Sequence, residues 1–112
     1  MSEGAPQIKM DVNKFYSVAR KDIKELIKGA GIGSAVIYNA TNQPVTFYAY
    51  NYIDIVYAVD AAHTKVAPGY YGAVSASGTK FKINPDKNVD DQFEVEPGKA
   101  YVYEGPGAVS PV

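Results

Sequence analysis

The sequence contains no cysteine and only one histidine, His63. Without cysteine the chain can form neither disulfides nor thiolate metal sites, and cysteine-based catalysis is excluded as well. A single histidine also excludes sites that need several imidazole ligands. We therefore expect no metal and no cofactor. Oxygen-bearing side chains alternate over residues 84–90, so a loose calcium loop stays open as an alternative to a solvated turn.

A strong net charge and long hydrophobic runs are also missing. The net charge is −1, and basic residues form no stripe on the predicted strands, so we expect no nucleic-acid partner. No apolar run approaches the roughly 20 residues that cross a bilayer, and residues 1–10 lack the pattern of a signal peptide. We expect a soluble cytoplasmic protein, with export by another route left open. The sequon at Asn39 is then expected to carry no glycan.

Residues 12–28 have the spacing of an amphipathic helix, with apolar side chains on an arc of about 120°. Asp11 or Asn13 can cap its start, and Gly29 suits its end. The segment carries five basic and two acidic residues, and a basic amphipathic helix can lie on an anionic membrane. The alternative is that its apolar stripe packs on the sheet. Three glycines between Gly29 and Gly33 then predict a hinge.

From Ala35 onward, alternating β-forming residues separated by turn-rich segments predict a mainly β fold. We predict a small antiparallel β-sandwich of about seven strands behind one N-terminal α-helix. It forms a single domain over residues 11–104, between a flexible arm at 1–10 and a flexible tail at 105–112. Residues 45–60 form either one long bent strand or two strands. The predicted strands are 35–39, 45–52, 53–60, 70–75, 80–83, 92–95 and 99–103.

Ten tyrosines suggest a recognition surface. Alternation along residues 45–52 places Phe47 on one face and a tyrosine ladder on the other. If the Phe47 side is core, the ladder faces solvent, where tyrosines can stack on sugars, hold a choline head group or seat a protein. The alternative is that the helix covers the ladder and makes it core. The candidate ligand-binding residues are Tyr48, Tyr50, Tyr52, Tyr101 and Tyr103.

An amphipathic helix, a glycine hinge and a tyrosine-rich β-body over residues 12–75 resemble the plan of actinoporin-like proteins, which include sea-anemone pore-formers and fungal fruit-body lectins. The residues that carry this resemblance are Tyr48, Tyr50, Tyr52, Tyr70 and Tyr71. The resemblance implies a β-sandwich that binds sugars or head groups through aromatic clusters. The chain has no tryptophan, an important aromatic residue in the membrane sites of that family, so no functional residue is carried over.

These patterns favour a non-catalytic module that binds a carbohydrate or lipid head group through surface tyrosines. We expect no enzyme activity, because His63 falls in a segment predicted as loop and no nucleophile motif is present. The alternative is a protein-interaction or self-assembling module, since Asp54 is the only charged residue between Ala35 and Val59. A membrane surface and a second copy of the chain are therefore candidate partners.

Overall fold

The computed structural model describes residues 8–24, 34–51, 62–75, 81–86 and 91–112. These residues form a mainly β protein in which two sheets pack as a sandwich, with one helix near the N-terminus, as predicted. The helix α1 spans Val12–Lys21. The described strands are β1 (Ile8–Lys9), β2 (Ser34–Asn39), β3 (Val45–Asn51), β4 (Ala62–Val66), β5 (Tyr70–Ser75), β6 (Phe81–Pro85), β7 (Phe93–Val95), β8 (Ala100–Tyr103) and β9 (Val109–Pro111).

The first sheet has the strand order β1-β5-β2-β8-β9, and the second sheet has the order β4-β3-β6-β7. Neighbouring strands are antiparallel with one exception, because β2 and β8 run parallel from Val36 opposite Ala100 to Asn39 opposite Tyr103. A parallel pair needs a long connection, and here the chain passes through the second sheet between β2 and β8. The sequence patterns did not predict this parallel pair.

The main core lies between the two sheets. From β3 the side chains of Val45, Phe47 and Ala49 enter it, as the alternation predicted. The ring of Phe47 meets the ring of Tyr103 edge-on, with centroids 5.3 Å apart. The inward direction of Phe47 places the next residue, Tyr48, on the other face of the second sheet.

A second apolar cluster lies between α1 and the outer face of the first sheet. Phe15 is fully buried there, and its ring centroid lies 5.1 Å from that of Tyr38 and 5.5 Å from that of Tyr71. Val36 and Val102 complete the floor beneath the helix. The helix therefore covers the first sheet, and not the face of the second sheet that carries Tyr48.

The helix is shorter than predicted. It begins where expected, since the carboxylate of Asp11 accepts a hydrogen bond of 2.9 Å from the backbone N–H of Asn13. It ends at Lys21, because Asp22 leaves helical geometry with φ −154° and ψ 82°. Asp is a weak helix former, since its side chain competes for nearby backbone groups. Helical geometry resumes at residues 23–24, and the remainder of the predicted helix lies outside the described residues.

Both chain ends contain strands that the sequence prediction assigned to a flexible arm and tail. Strand β1 pairs with Tyr70 and Tyr71 of β5, and β9 pairs with β8. Strand β4 also lies where a loop was predicted. The strands β1 and β9 have only two and three residues and give no readable alternation, so they depend on tertiary pairing, and the partner of β1 is also distant in sequence. The predicted strand at 53–60 lies outside the described residues.

Within the described ranges, no helix is long and apolar enough to cross a bilayer.

Asn39, at the end of β2, ties the loop after it to the second sheet. Its side chain is fully buried, and its amide nitrogen donates to the carbonyls of Gln43 and Val66, both at 2.8 Å. Its side-chain oxygen accepts from the backbone N–H of Thr41 at 2.9 Å and from the Thr41 hydroxyl at 2.6 Å. Both amide hydrogens are therefore used, so the sequon residues act as a structural brace in the folded protein.

We predict that Asn39→Ala lowers the free energy of unfolding by about 2–4 kcal/mol, because it removes four hydrogen bonds and leaves buried polar groups without partners. The control is Asn42→Ala, which changes an exposed residue of the same loop and should cost less than about 0.5 kcal/mol. Urea denaturation of the three proteins measures both values. Equal transition midpoints for the two variants would contradict the structural role of Asn39.

Candidate functional site

The outer face of the second sheet is the surface that the sequence analysis singled out. Its outward side chains alternate with core residues, since Phe47 of β3, Val66 of β4, Ile83 of β6 and Val95 of β7 all point into the sandwich. We call this surface the Tyr48 face. Its members are Thr46 and Tyr48 of β3, His63 and Lys65 of β4, Lys82 of β6 and Glu94 of β7.

Tyr48 and His63 form an aromatic pair at the centre of this face. They lie directly opposite each other in the β3–β4 register. Their ring centroids are 5.3 Å apart and their planes differ by 33°. Tyr48 is half-buried, whereas His63 is exposed. A tilted ring pair at the surface gives a small aromatic platform that a flat ligand can contact.

Sequence reasoning missed His63 as a member of this site because residues 61–64 were predicted as a loop. A usable signal was present. In β4, Thr64 and Val66 are buried while His63 and Lys65 are exposed, which is the period-two pattern of a half-buried strand. The hydroxyl of Thr64 donates to the Ala73 carbonyl of the opposite sheet at 2.9 Å, so a polar residue occupies an inward position. This polar residue in the core weakened the hydrophobic alternation.

The other residues of the predicted ladder are only partly described. The backbone of Tyr50 lies in β3 opposite Lys82 of β6, which places it two residues from Tyr48 on the same strand. The position of its side chain is not among the described features. Tyr52 lies outside the described residues. The site therefore stands on Tyr48 together with the neighbouring strands.

Tyr101 and Tyr103 do not lie on the surface where ligand contact was expected. Both are in the core between the sheets, with exposed fractions of 8% and 3%. The predicted alternation of β8 is correct, since Ala100 and Val102 lie on its opposite face. However, α1 covers that opposite face, so β8 is buried on both sides. Their rings are therefore part of the core and form no surface with Tyr48.

The hydroxyls of both core tyrosines are engaged inside the protein. The Tyr101 oxygen accepts the backbone N–H of Glu96 at 2.9 Å, and the Tyr103 hydroxyl donates to Asp91 at 2.7 Å. Burial raises the pKa of Tyr101 above its usual range. Burial, followed by the hydrogen bond to Asp91 and its negative charge, raises the pKa of Tyr103 further.

The acidic segment considered as a calcium loop contributes to protein contacts where it is described. Asp91 is buried, and its second carboxylate oxygen accepts the backbone N–H of Gly107 at 3.1 Å. Asp86 accepts the backbone N–H of Thr46 at 2.9 Å. In the described part of the chain, no three acidic or histidine side chains come together as metal ligands. Residues 87–90 lie outside the description.

The Tyr48 face carries charges of both signs, and its positive side chains outnumber its negative ones. Lys65 stands opposite Thr46, two positions along the strands from the Tyr48–His63 pair, and Lys82 stands opposite Glu94. The face thus combines an aromatic platform with hydrogen-bond donors and acceptors on four neighbouring strands. Comparisons with protein-family models, curated proteins and solved structures find no match for this chain, so the resemblance to actinoporin-like proteins stays a prediction.

We predict that the raised tyrosine pKa values make the protein sensitive to alkali. The unfolded chain loses its tyrosine protons near pH 10, whereas Tyr103 in the folded protein keeps its proton to higher pH. The stabilisation is therefore complete below about pH 10 and falls as the pH rises towards the folded pKa. Denaturation measured at several alkaline pH values should show a smaller loss of stability in Tyr103→Phe than in the wild type. Parallel stability profiles for the two proteins would contradict this role of Tyr103.

Proposed function

We propose that this protein is a non-catalytic binding module that recognises a carbohydrate through the Tyr48 face. The observation that supports the proposal most is the outward position of the Tyr48 ring beside His63, on the side of the sandwich opposite α1. Phe47 turns into the core from the neighbouring position, so the backbone of β3 fixes the direction of Tyr48. An aromatic residue on a rigid strand can bind a ligand without being reordered.

The shape of the aromatic pair favours a sugar over a choline head group. A quaternary ammonium ion is best held in a cage of rings that surround it. The described features of the Tyr48 face instead give one tilted pair, Tyr48 with His63, whose centroids are 5.3 Å apart with an angle of 33° between the ring planes. The apolar face of a pyranose ring can stack on such a platform, while its hydroxyls reach polar groups at the edge. On this face Thr46 and Lys65, two positions further along the same two strands, can serve that purpose.

A binding role is also favoured over catalysis by the surroundings of the groups that could transfer protons. His63 is exposed on an open sheet face and lies against a phenol ring. Asp91 is buried, and Tyr103 and the Gly107 backbone hold its two oxygens. Because both oxygens are engaged inside the protein, the carboxylate is better explained as a structural contact than as a general base.

We predict that Tyr48→Ala weakens binding to any glycan that the wild type binds by about tenfold or more, because the ring supplies the stacking surface. A glycan array followed by titration with the best glycan measures the change. Tyr48→Phe keeps the ring and should retain most of the affinity. The matched control is Tyr16→Ala, which removes another half-buried tyrosine, located on α1 at the opposite side of the sandwich.

No glycan binding by the wild type would contradict the proposal, as would equal affinities of a folded Tyr48→Ala variant and the Tyr16→Ala control. Vesicles of phosphatidylcholine form a second arm of the experiment. If they bind in a Tyr48-dependent manner while every glycan fails, the ligand is a lipid head group and the carbohydrate proposal is wrong.

A second candidate function is self-assembly through strand edges. Strand β4 ends the order of the second sheet, and on the same side of the sandwich β1 pairs only with Tyr70 and Tyr71 of β5. Residues 72–75 of β5 therefore have no described strand on that side. The two edges are adjacent, since Thr64 of β4 donates to Ala73 of β5. Strand edges that have no partner strand among the described residues can add a strand from a second copy.

If the edges assemble, light scattering should show a mass that rises from monomer to dimer or larger as the protein concentration increases. The exposed Lys65 on β4 works against such pairing, because charged edge residues oppose strand addition. Lys65→Thr should therefore shift the transition to lower concentration. A constant monomer mass for both proteins at high concentration would remove this candidate.

A further inference from the structure

The side of α1 that faces away from the sheet is strongly basic. We call it the basic face of α1, and it is exposed over its whole length. Its cations fall on one arc of the helix, while Phe15 marks the centre of the opposite, buried arc. Asn13 and Ser17 lie between the cations and carry no charge. The members of the basic face are Lys14, Arg20 and Lys21, and the exposed Lys24 follows after the break at Asp22.

The two described acidic residues of this segment lie at the ends of α1 and do not interrupt the basic face. Asp11 caps the N-terminus and Asp22 ends the helix. Residues 8–24 contain five basic and two acidic side chains, whereas the rest of the chain contains six basic and ten acidic ones. A protein of net charge −1 thus concentrates positive charge on one helix. A surface of this kind attracts anionic partners over a range of about a Debye length.

The packing of α1 limits the kind of contact that it can make. Phe15 has an exposed fraction of 0% and lies between the rings of Tyr38 and Tyr71. The apolar side of the helix is therefore already buried against the first sheet. The guanidinium of Arg20 lies 4.9 Å above the ring of Tyr16, which further orders the boundary between the two sides. Only the charged side is available, so binding through α1 is electrostatic and does not require insertion.

We propose that the basic face of α1 docks on a membrane surface rich in anionic lipid while α1 stays packed on the first sheet. Charge complementarity carries this choice of occupant, since the three cations of α1 lie on one side of a helix about 15 Å long. Clustered Lys and Arg residues on a helix are typical of peripheral binding to anionic head groups. A recognition helix for DNA must enter the major groove. A helix packed lengthwise on a five-stranded sheet does not project for that purpose.

This docking would orient the whole module. The basic face and the Tyr48 face lie on opposite sides of the sandwich, because α1 covers the first sheet and Tyr48 belongs to the second. A protein bound to a membrane through α1 therefore holds the Tyr48 face away from the lipid. The inference does not rest on the proposed carbohydrate site, and each can fail without the other.

The test is cosedimentation of the full chain with vesicles of phosphatidylcholine alone or mixed with phosphatidylserine. We expect binding only to the mixed vesicles, and weaker binding as salt rises. The double variant Lys14→Gln/Lys21→Gln should bind about thirtyfold more weakly, at roughly fivefold for each lysine removed. The matched control is Lys65→Gln/Lys82→Gln, which removes two lysines from the Tyr48 face. This control and Tyr48→Ala should both bind like the wild type.

Several outcomes would overturn the proposal. These are no binding to the mixed vesicles, equal binding by the Lys14→Gln/Lys21→Gln variant, and an equal loss in the Lys65→Gln/Lys82→Gln control. Tighter binding to duplex DNA than to vesicles at the same salt would show that the occupant is a nucleic acid. Release of dye trapped in the vesicles would show that the helix inserts, against the docked arrangement. Circular dichroism confirms that each variant is folded, since all substituted lysines are at or near the surface.

Discussion

The burial of the central strands of the first sheet, β2 and β8, on both faces determines where the surfaces of this protein can lie. Every residue of β2 is buried, and its side chains alternate between two clusters. Ala35 and Ile37 belong to the core between the sheets, whereas Val36 and Tyr38 lie beneath α1. A fully buried aromatic side chain such as Phe15 contributes about 2–3 kcal/mol by leaving water. This contact commits the helix to the first sheet, and so the outer face of the second sheet is not the place where α1 packs.

Period-two alternation predicted the direction of side chains correctly, but not always their environment. It separated Phe47 from Tyr48, and it separated Ala100 and Val102 from Tyr101 and Tyr103. The tyrosines of β8 are buried while Tyr48 is half-buried, because β8 is central in a sheet that is covered on both sides. Strand β3 instead belongs to a sheet whose described outer face carries Thr46, His63 and Lys65. The neighbours that cover a strand come from other parts of the chain, and a local pattern contains no information about them.

The strand-sized features that the sequence did not predict share one cause. Ile8 pairs with Tyr71, and β9 pairs with a strand that is parallel to β2, so each depends on a partner placed by the rest of the fold. The early end of α1 is different, because Asp22 interrupts a pattern whose apolar spacing continues to Ile23 beneath the same cluster. Apolar spacing reports which side chains are buried. The same spacing does not reveal a single residue, such as Asp22, at which the backbone leaves helical geometry.

The polar end of tyrosine explains why a count of tyrosines is a poor guide to a binding surface. Each of three buried hydroxyls holds a segment outside the regular strands: Tyr38 donates to the Met10 carbonyl at 2.8 Å, Tyr101 accepts from Glu96, and Tyr103 donates to Asp91. A phenylalanine could fill the same space but could not make these bonds. Among the tyrosines whose side chains the structure describes, the interior is therefore served at least as much as the surface. Tyr48 is distinguished by its neighbours on the same sheet face, where polar and charged side chains from three strands surround one ring pair. These neighbours can be identified from the sequence only after the strands β4 and β6 are correctly placed beside β3.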